Sequence, residues 1–435
     1  MKSKEVPRLL VLSNNGFSRQ NSNGRTLGSL LQGWPKDRIA QFCISSDGPD
    51  FDVCENYYCV TDGDVLRSIL HLKPAKRRLL EKETKIDANA TANGQVRHFK
   101  NSLNMLLRNL AWQVGLWQGK EFNNWIDRFA PDIILLQNGE SFFMHSLAMK
   151  IARRTGAKIA MFNTEPPYLA KADYFRRDNL FLRKVLFPIY HYIYRRTYEK
   201  FMRKCRLMVY GNQQLLDDYT AVFPDSKDIS HVIYTGSDIE FRPPRFDDED
   251  LKFTYAGNLG FDRPSALIEL AKEINAINAA YKLDLYGPVK DEAMKQRLDS
   301  CPYINYHGMV SYSELVTIIE NSHFLIHAES QDQKWQDGLK YGFSTKIADS
   351  ICSGKIFLLY TSSKIACARY IQSNGAGIFS DNPKELREML EKAISDPDYR
   401  GAIIEKSRKV AAENHSKEKN KAKIQNLLKE SIVDN

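Results

Sequence analysis

The sequence predicts an α/β protein of two domains, each a largely parallel sheet wrapped by helices. Three observations carry that expectation. Short, continuous apolar runs such as Arg8–Ser13 (RLLVLS) and Asp132–Gln137 (DIILLQ) alternate with amphipathic stretches, the pattern of buried parallel strands joined by crossover helices. The alternation stops at Ser237–Asp250, which is polar, proline-bearing and acidic, and restarts beyond it, as an interdomain linker would make it do. The length of 435 residues and 43% hydrophobic content suffice for two cores. The expected domains are residues 1–236 and 237–400, with helices in 401–435 returning towards the first.

In the first half, Arg8–Ser13 is followed by a polar loop ending in Ser22-Asn23-Gly24 and then a helix. That is half of a βαβ unit, without the GxGxxG dinucleotide fingerprint. Ile39–Ser45 is the next strand. Lys73–Gln95 turns from basic to Ala/Asn/Thr-rich and reads as an insertion; its sequon Asn89-Ala90-Thr91 has no secretory context. Val96–Phe129 has a helical pattern carrying Trp112, Trp117 and Trp125, aromatics suited to a core. Asp132–Gln137 is a strand, a helix runs through Arg154, and Lys158–Phe162 is a further strand. The loop Asn163-Thr164-Glu165-Pro166-Pro167-Tyr168 then breaks regular structure at a strand's carboxyl end, where such sheets keep their ligands. Glu165 is the N-terminal candidate for a general base or acceptor contact, although a glutamate that merely stabilises its loop has the same signature. Leu207–Tyr210 and His231–Tyr234 complete this half.

Tyr174–Arg206 carries ten Lys/Arg against Asp178 and Glu199, interleaved with Tyr, Phe and Leu. It reads as a basic aromatic helix pair facing an anionic membrane surface, or as amphipathic helices with a solvated basic face. No nucleic-acid-binding motif accompanies the charge.

The second half restarts with strands at Lys252–Ala256, Lys282–Tyr286, Ile304–Tyr306, Phe324–His327, Ile356–Tyr360 and Gly377–Phe379. Pro383–Ile394, Tyr399–Asn414 and the tail are helical. The first strand leads into Gly257-Asn258-Leu259-Gly260-Phe261-Asp262-Arg263. Its glycines permit close backbone approach, and Arg263 stands at a helix start, where it can take a phosphate bidentately. In His323–Gly354 a strand, a polar loop from Glu329 to Gly342 and a helix capped by Ser344 and Thr345 follow one another. Lys346 adds a mobile cation to that helix N-terminus, and Asp349 lies one turn on, placed to hold ribose hydroxyls. An ordinary capped helix with a Lys–Asp surface pair has the same pattern. Two strand–loop–helix corners, each with a cation and a helix N-terminus, open on one sheet edge and favour a diphosphate site.

The net charge of +9 also favours an anionic partner. Seven cysteines show no CxxC pair and no Cys/His cluster, which excludes a recognisable zinc site and fits reduced thiols. Met1–Pro7 lacks the apolar core of a signal peptide, and no run of about 18 apolar residues appears. The expectation is a cytoplasmic protein whose membrane contact, if any, is peripheral at the inner face.

The residues Tyr255-Ala256-Gly257-Asn258-Leu259-Gly260 with Arg263, Tyr306-His307-Gly308-Met309-Val310 with Glu314-Leu315, and Glu329 with Gly342-Phe343-Ser344-Thr345-Lys346-Ile347-Ala348-Asp349 resemble the GT-B glycosyltransferases, specifically the family 4-like enzymes of bacterial polysaccharide assembly. The likeness covers roughly Leu251–Asp396. It implies two Rossmann-like domains facing a cleft, with an acceptor-side first domain and a nucleotide-sugar-binding second. By motif position Gly257, Asn258, Gly260, Arg263, Ser344, Thr345 and Lys346 would line the diphosphate. Backbone near Met309 and Val310 would meet the base, Asp349 the ribose, and Glu329 the donor sugar. The family's two acids lie closer together than the twenty positions from Glu329 to Asp349, as an insertion at Ser330–Tyr341 would explain. Where many relatives carry a histidine, this chain has Asn163-Thr164-Glu165.

The expected activity is metal-independent, hexosyltransferase-type glycosyl transfer from a nucleotide sugar, UDP- or GDP-linked, to a glycan or lipid-linked acceptor. Glu329, Arg263, Lys346 and Glu165 are the expected catalytic residues. No cofactor is expected, since the nucleotide sugar is a substrate, and no nucleic-acid partner. The alternatives are a nucleotide-sugar epimerase of the same fold and a non-catalytic partner that binds sugar nucleotides or membranes.

Overall fold

The computed structural model describes residues 6–18, 22–45, 49–75, 77–78, 100–246, 250–289 and 291–433. The expected insertion from residue 79 on, with its sequon, lies outside them, as do Met1–Glu5 and residues 247–249 of the linker.

The chain forms two compact units, residues 1–233 with 421–435, and 234–420. The first holds seven strands: β1 (Leu9–Ser13), β2 (Ile39–Cys43), β3 (Asn56–Cys59), β4 (Ile133–Gln137), β5 (Lys158–Asn163), β6 (Cys205–Tyr210) and β7 (Ser230–Val232). They lie in the order β3-β2-β1-β4-β5-β6-β7, and every pairing is parallel. The apolar runs are buried on both faces: all five residues of β1 are buried, because helices cover both sides of such a sheet. Leu9, Val11, Ile133, Leu135 and Val209 form a core with Trp34, and with Ile424 and Leu428 from the last helix, Lys417–Glu430.

The second unit holds β8 (Phe253–Ala256), β9 (Leu283–Tyr286), β10 (Ile304–Gly308), β11 (Phe324–Ala328), β12 (Ile356–Tyr360) and β13 (Ile378–Ser380). Their order is β10-β9-β8-β11-β12-β13, again parallel throughout. Phe253, Leu283, Phe324, Ile326 and Leu358 pack with Leu267, Leu270 and Ile274 of the Arg263–Ile277 helix. Local chemistry marks the helix ends. Ser311 and Glu314 make a reciprocal capping box, and Gly354 closes the Thr345–Ser353 helix in the left-handed conformation.

Three expectations change. Asn56–Cys59 is a strand that the sequence reading lacks. The described part of Val96–Phe129, from residue 100 on, holds two helices, Ser102–Val114 and Lys120–Phe129, parted by Gly115 and Gly119 at the cap positions. The polar loop Glu329–Gly342 contains a helix, Gln333–Leu339. Tyr174–Arg206 is amphipathic: Phe187, Tyr190, Tyr194, Tyr198 and Phe201 are buried, because residues at spacings of three and four share the inner stripe of Phe187–Met202.

Candidate active site

The carboxyl edge of the second sheet brings most of the predicted donor residues together. Beyond β8 the chain turns at Gly257, whose φ is +152°. A Cβ there would lie 2.1 Å from Lys346 Nζ, so the lysine runs directly over the glycine. Gly257 donates its N–H to the Tyr286 carbonyl at 2.8 Å, and Gly287 donates to the Gly308 carbonyl at 2.7 Å. A Cβ on Gly287, at φ +150°, would meet the Gly257 oxygen at 1.9 Å. Three adjacent strand ends thus carry no side chain, which lets backbone approach backbone there.

The loop after Gly257 is held by its own polar groups. Asn258 Oδ1 accepts from the Gly260 N–H at 2.7 Å, and Tyr255 Oη donates to the Asn258 carbonyl at 2.8 Å. Phe261 and Asp262 both adopt left-handed φ, +61° and +54°, a strained pair for non-glycine residues. They set Arg263 at the first position of its helix.

Arg263 is not an open phosphate ligand here. It is buried, with Nε 2.8 Å from Glu329 Oε2 and Nη2 2.7 Å from Oε1. Nη1 reaches the Asn258 carbonyl at 3.2 Å. Glu329 lies just past β11, one residue beyond Ala328, and accepts from His327 Nε2 at 3.0 Å. Strand period two puts His327 and Glu329 on one face. Burial raises the Glu329 carboxyl, but His327 and Arg263 outweigh it and hold it at about 2. His327 is driven below its ordinary value by burial.

Lys346 is the second position of the Thr345–Ser353 helix, whose N-cap Ser344 accepts from the Lys346 N–H at 3.3 Å. Its Nζ donates to Tyr255 Oη at 3.0 Å and sits 4.6 Å from the centre of that ring. Burial first, then the Arg263 charge, pulls its pKa down to about 7. Of the predicted cations, this is the one whose charge is poised to respond to a ligand. The Gln333–Leu339 helix, absent from the sequence reading, carries Trp335, which meets Phe261 edge-on at 6.0 Å.

The remaining predictions fall further apart. Asp349 Oδ1 accepts from Ser237 Oγ at 2.5 Å. Met309 is exposed beyond β10. Val310 borders an open cavity of about 430 Å³ with Ser313, Glu314, Thr317 and Ile318.

Glu165 belongs to the first unit. It follows β5 by two residues, as Glu140 follows β4 by three. Lys100 Nζ grips Glu140 at 2.8 and 2.9 Å, and Tyr190 Oη donates to the Glu140 carbonyl at 2.8 Å. Beside them Asn138 joins Asn163, His145 and Tyr194 by bonds of 2.9, 2.9 and 3.0 Å. Burial and the Glu140 charge push Glu165 up to about 7, against the pull of Lys100. Lys100, Glu140, His327 and Tyr255 were missed as functional candidates. The usable signal for Glu140 was its place just past a parallel strand, the same signal that singled out Glu165. Among the described residues no group of three or more His, Cys, Asp or Glu is placed to hold a metal ion, and no helix is long and apolar enough to cross a membrane.

No protein-family model and no curated protein matches the chain. Solved structures do. HepE of Anabaena, in complex with UDP and glucose, is 11% identical with a TM-score of 0.57, over 98% of this chain and 100% of that one. A glycosyltransferase from Rickettsia africae is 12% identical with a TM-score of 0.59, over 99% and 100%. Sucrose-phosphate synthase from Thermosynechococcus elongatus is 10% identical with a TM-score of 0.58, over 97% and 98%. The shared architecture is two parallel sheets with surrounding helices, of GT-B type.

Proposed function

We propose that this GT-B chain is a glycosyltransferase of the hexosyl-transferring kind, metal-independent and related in motif to family 4. In this reading the second unit holds a nucleotide sugar, UDP- or GDP-linked, and the first unit takes the glycan or lipid-linked acceptor. The enzyme is cytoplasmic, with peripheral contact at the inner membrane face. The observation that carries the reading is the convergence at one sheet edge of the bare Gly257–Gly287–Gly308 backbone and Lys346 at a helix N-terminus. Side-chain-free backbone that permits close approach, a helix N-terminus with its dipole, and a cation are what a diphosphate needs. The same groups oppose the charge that develops on the leaving diphosphate, which lets preorganised side chains do the work a metal ion would otherwise do. Glu329 has two roles here: it neutralises the buried Arg263 and fixes its guanidinium, and its rim faces the donor sugar. Asp349 and the backbone at Met309 and Val310 take the ribose and base. Arg263 joins the diphosphate by exchanging one of its Glu329 bonds for a phosphate oxygen. Glu165, raised towards neutrality, is the acid–base group of the first unit.

One observation favours a second reading, a non-catalytic sugar-nucleotide partner: Arg263 is fully engaged by protein groups. Thermal-shift measurement against UDP, GDP, CDP, ADP and TDP separates the two when followed by turnover. A ligand that binds only the folded state adds about 2.7 kcal/mol at a hundred times its Kd. The proposal requires a shift for one nucleotide, its loss in Lys346→Ala, and sugar transfer to some acceptor. Wild-type turnover by an Arg263→Ala/Lys346→Ala double variant would sink the assignment of these cations. Binding without turnover across a broad acceptor panel supports the second reading, and donor stereochemistry that changes with no acceptor present supports an epimerase.

A further inference from the structure

The Ser102–Val114 helix of the first unit exposes a row of apolar residues on its outer face as well as burying Met105 and Trp112 on its inner one. Its inward face carries Ser102, Met105, Asn109 and Trp112. Its outward face carries Leu103, Leu107, Leu110 and Val114, of which Leu107 is 54% and Val114 67% exposed. The polar inner residues have partners. The Ser102 N–H donates to Asp178 at 2.8 Å, the Asn109 side chain accepts from the Phe143 N–H at 3.1 Å, and the Trp112 indole donates to Asp62 at 2.7 Å. The outer leucines are therefore not a core left half-built; the helix is fixed from within and presents them outward.

The helices on either side continue the surface. The Ser102–Val114 helix packs against Asp62–Leu70 on one flank and against Leu182–Leu186 and Phe187–Met202 on the other. Asp62–Leu70 and the residues after it expose Leu66, Leu70 and Leu72. The other flank exposes Leu180, Phe181 (62%), Val185, Ile189 and Tyr192. Phe181, Val185 and Ile189 recur every four residues, a single stripe on the face opposite the buried tyrosines. Apolar side chains exposed on three adjacent helices are the kind of patch that marks an interaction surface.

Charge selects the occupant. With their margins, residues 62–78, 100–116 and 171–196, the three stretches hold fourteen Lys/Arg against four Asp, of which Arg67 and Arg78 pair with Asp64, Arg108 with Asp62 and Lys100 with Glu140. The face itself, 62–72, 102–114 and 180–192, holds four Lys/Arg against two Asp, with Lys184 exposed, and the rest of the positive charge lies along its margins. A second copy docked isologously would set that charge against itself. An anionic bilayer matches it: aliphatic side chains enter the acyl boundary while the lysines and arginines reach phosphate.

We infer that this face, built from Asp62–Leu72, Ser102–Val114 and Leu180–Tyr192, is a docking surface for an anionic lipid bilayer, with the outer leucines and Phe181 inserted and Lys184 among the groups that meet lipid phosphate. This deepens the membrane part of the proposed function and rests on it, but it does not depend on the donor chemistry.

The test is flotation of the full chain with vesicles of phosphatidylcholine alone and with about one-third phosphatidylglycerol. Wild type is expected to float with the anionic vesicles and to stay behind with the neutral ones. The double variant Leu107→Glu/Phe181→Glu, at exposed positions and checked for an unchanged melting temperature, is expected to bind about a hundredfold more weakly. Lys184→Glu is expected to weaken binding several-fold, by an amount that shrinks with added salt. Wild type that remains in solution with anionic vesicles overturns the inference, as does a Leu107→Glu/Phe181→Glu variant that floats like wild type. A wild-type dimer in light scattering that the same double variant abolishes also overturns it, and assigns the face to a second copy. Vesicle binding without turnover would leave this surface standing while the transferase reading failed; turnover without vesicle binding would do the reverse.

Discussion

Arg263 and Glu329 form a buried bidentate ion pair, Nε to Oε2 at 2.8 Å and Nη2 to Oε1 at 2.7 Å. Each group answers the other's desolvation, and neither is comfortable alone. Glu329→Ala is expected to destabilise the protein by about 3–5 kcal/mol, because it strands a buried guanidinium. Denaturant unfolding measures this; a loss under about 1 kcal/mol would mean that water enters and replaces the carboxylate. The pair also sets an acid limit. The Glu329 pKa is depressed from 4.5 to about 2 in the fold. Its contribution is therefore complete above about pH 4.5 and fades as pH falls towards 2. The stability gap between wild type and Glu329→Gln should narrow over that window.

The Lys346 pKa is lowered too, to about 7, but for a base a lowered value disfavours the charged form. Near neutrality it is only partly protonated, and a diphosphate needs it charged. Nucleoside-diphosphate binding is therefore expected to take up a proton, with affinity falling by up to about tenfold per pH unit above 7. Calorimetry in two buffers of different ionisation enthalpy reads the proton directly. Lys346→Arg should flatten the pH dependence, since guanidinium stays charged. Equal affinity at pH 7 and pH 9 for wild type would remove Lys346 from the phosphate.

Glu165, raised to about 7 by burial and by Glu140, gives a limb in the pH–rate profile. As a base it is active above that value, so the rate should climb through pH 7 and level off. Glu165→Gln should lower kcat by about 10²–10⁴ and leave donor affinity intact. Lys100→Met removes the cation that restrains the Glu165 pKa, so the limb should move to higher pH. An unmoved limb would mean that the titrating group lies elsewhere.

Gly257→Ala tests the contact between the glycine corner and Lys346. The new Cβ would occupy the lysine's path at a φ of +152°. A loss of about 1–3 kcal/mol in stability is expected, together with loss of the pH-dependent part of nucleotide binding. Gly260→Ala, whose Cβ would come no closer than 3.1 Å to Asn258 Oδ1, should do far less.

The fold was legible because parallel strands buried on both faces announce themselves as apolar runs. Ile356–Tyr360 and Ile133–Gln137 could be read almost residue for residue. Asn56–Cys59 escaped because it is four residues long, begins with Asn and carries two tyrosines, too short for a periodicity to register. The Gln333–Leu339 helix was hidden by its length of seven residues, with only Trp335 and Leu339 to mark an apolar side. In the site, a residue's place at a strand's carboxyl end was readable, and it found Gly257, Lys346 and Glu165. Pairing was not. Nothing local to Arg263 says that a carboxylate 66 positions away will close on it, and nothing near Asp349 announces Ser237. Such partners are fixed by tertiary approach, which no window of sequence contains.

The Gly257–Gly287 approach has a consequence for anyone who would re-engineer this protein. A Cβ on Gly287 would overlap the Gly257 oxygen at 1.9 Å, and that atom is backbone, which no rotamer change can move aside. A combinatorial library meant to alter ligand choice should therefore hold positions 257 and 287 invariant, since clones varied there would mostly be lost before selection. Diversity belongs at Met309, whose side chain is exposed, and at Val310, which borders the open cavity.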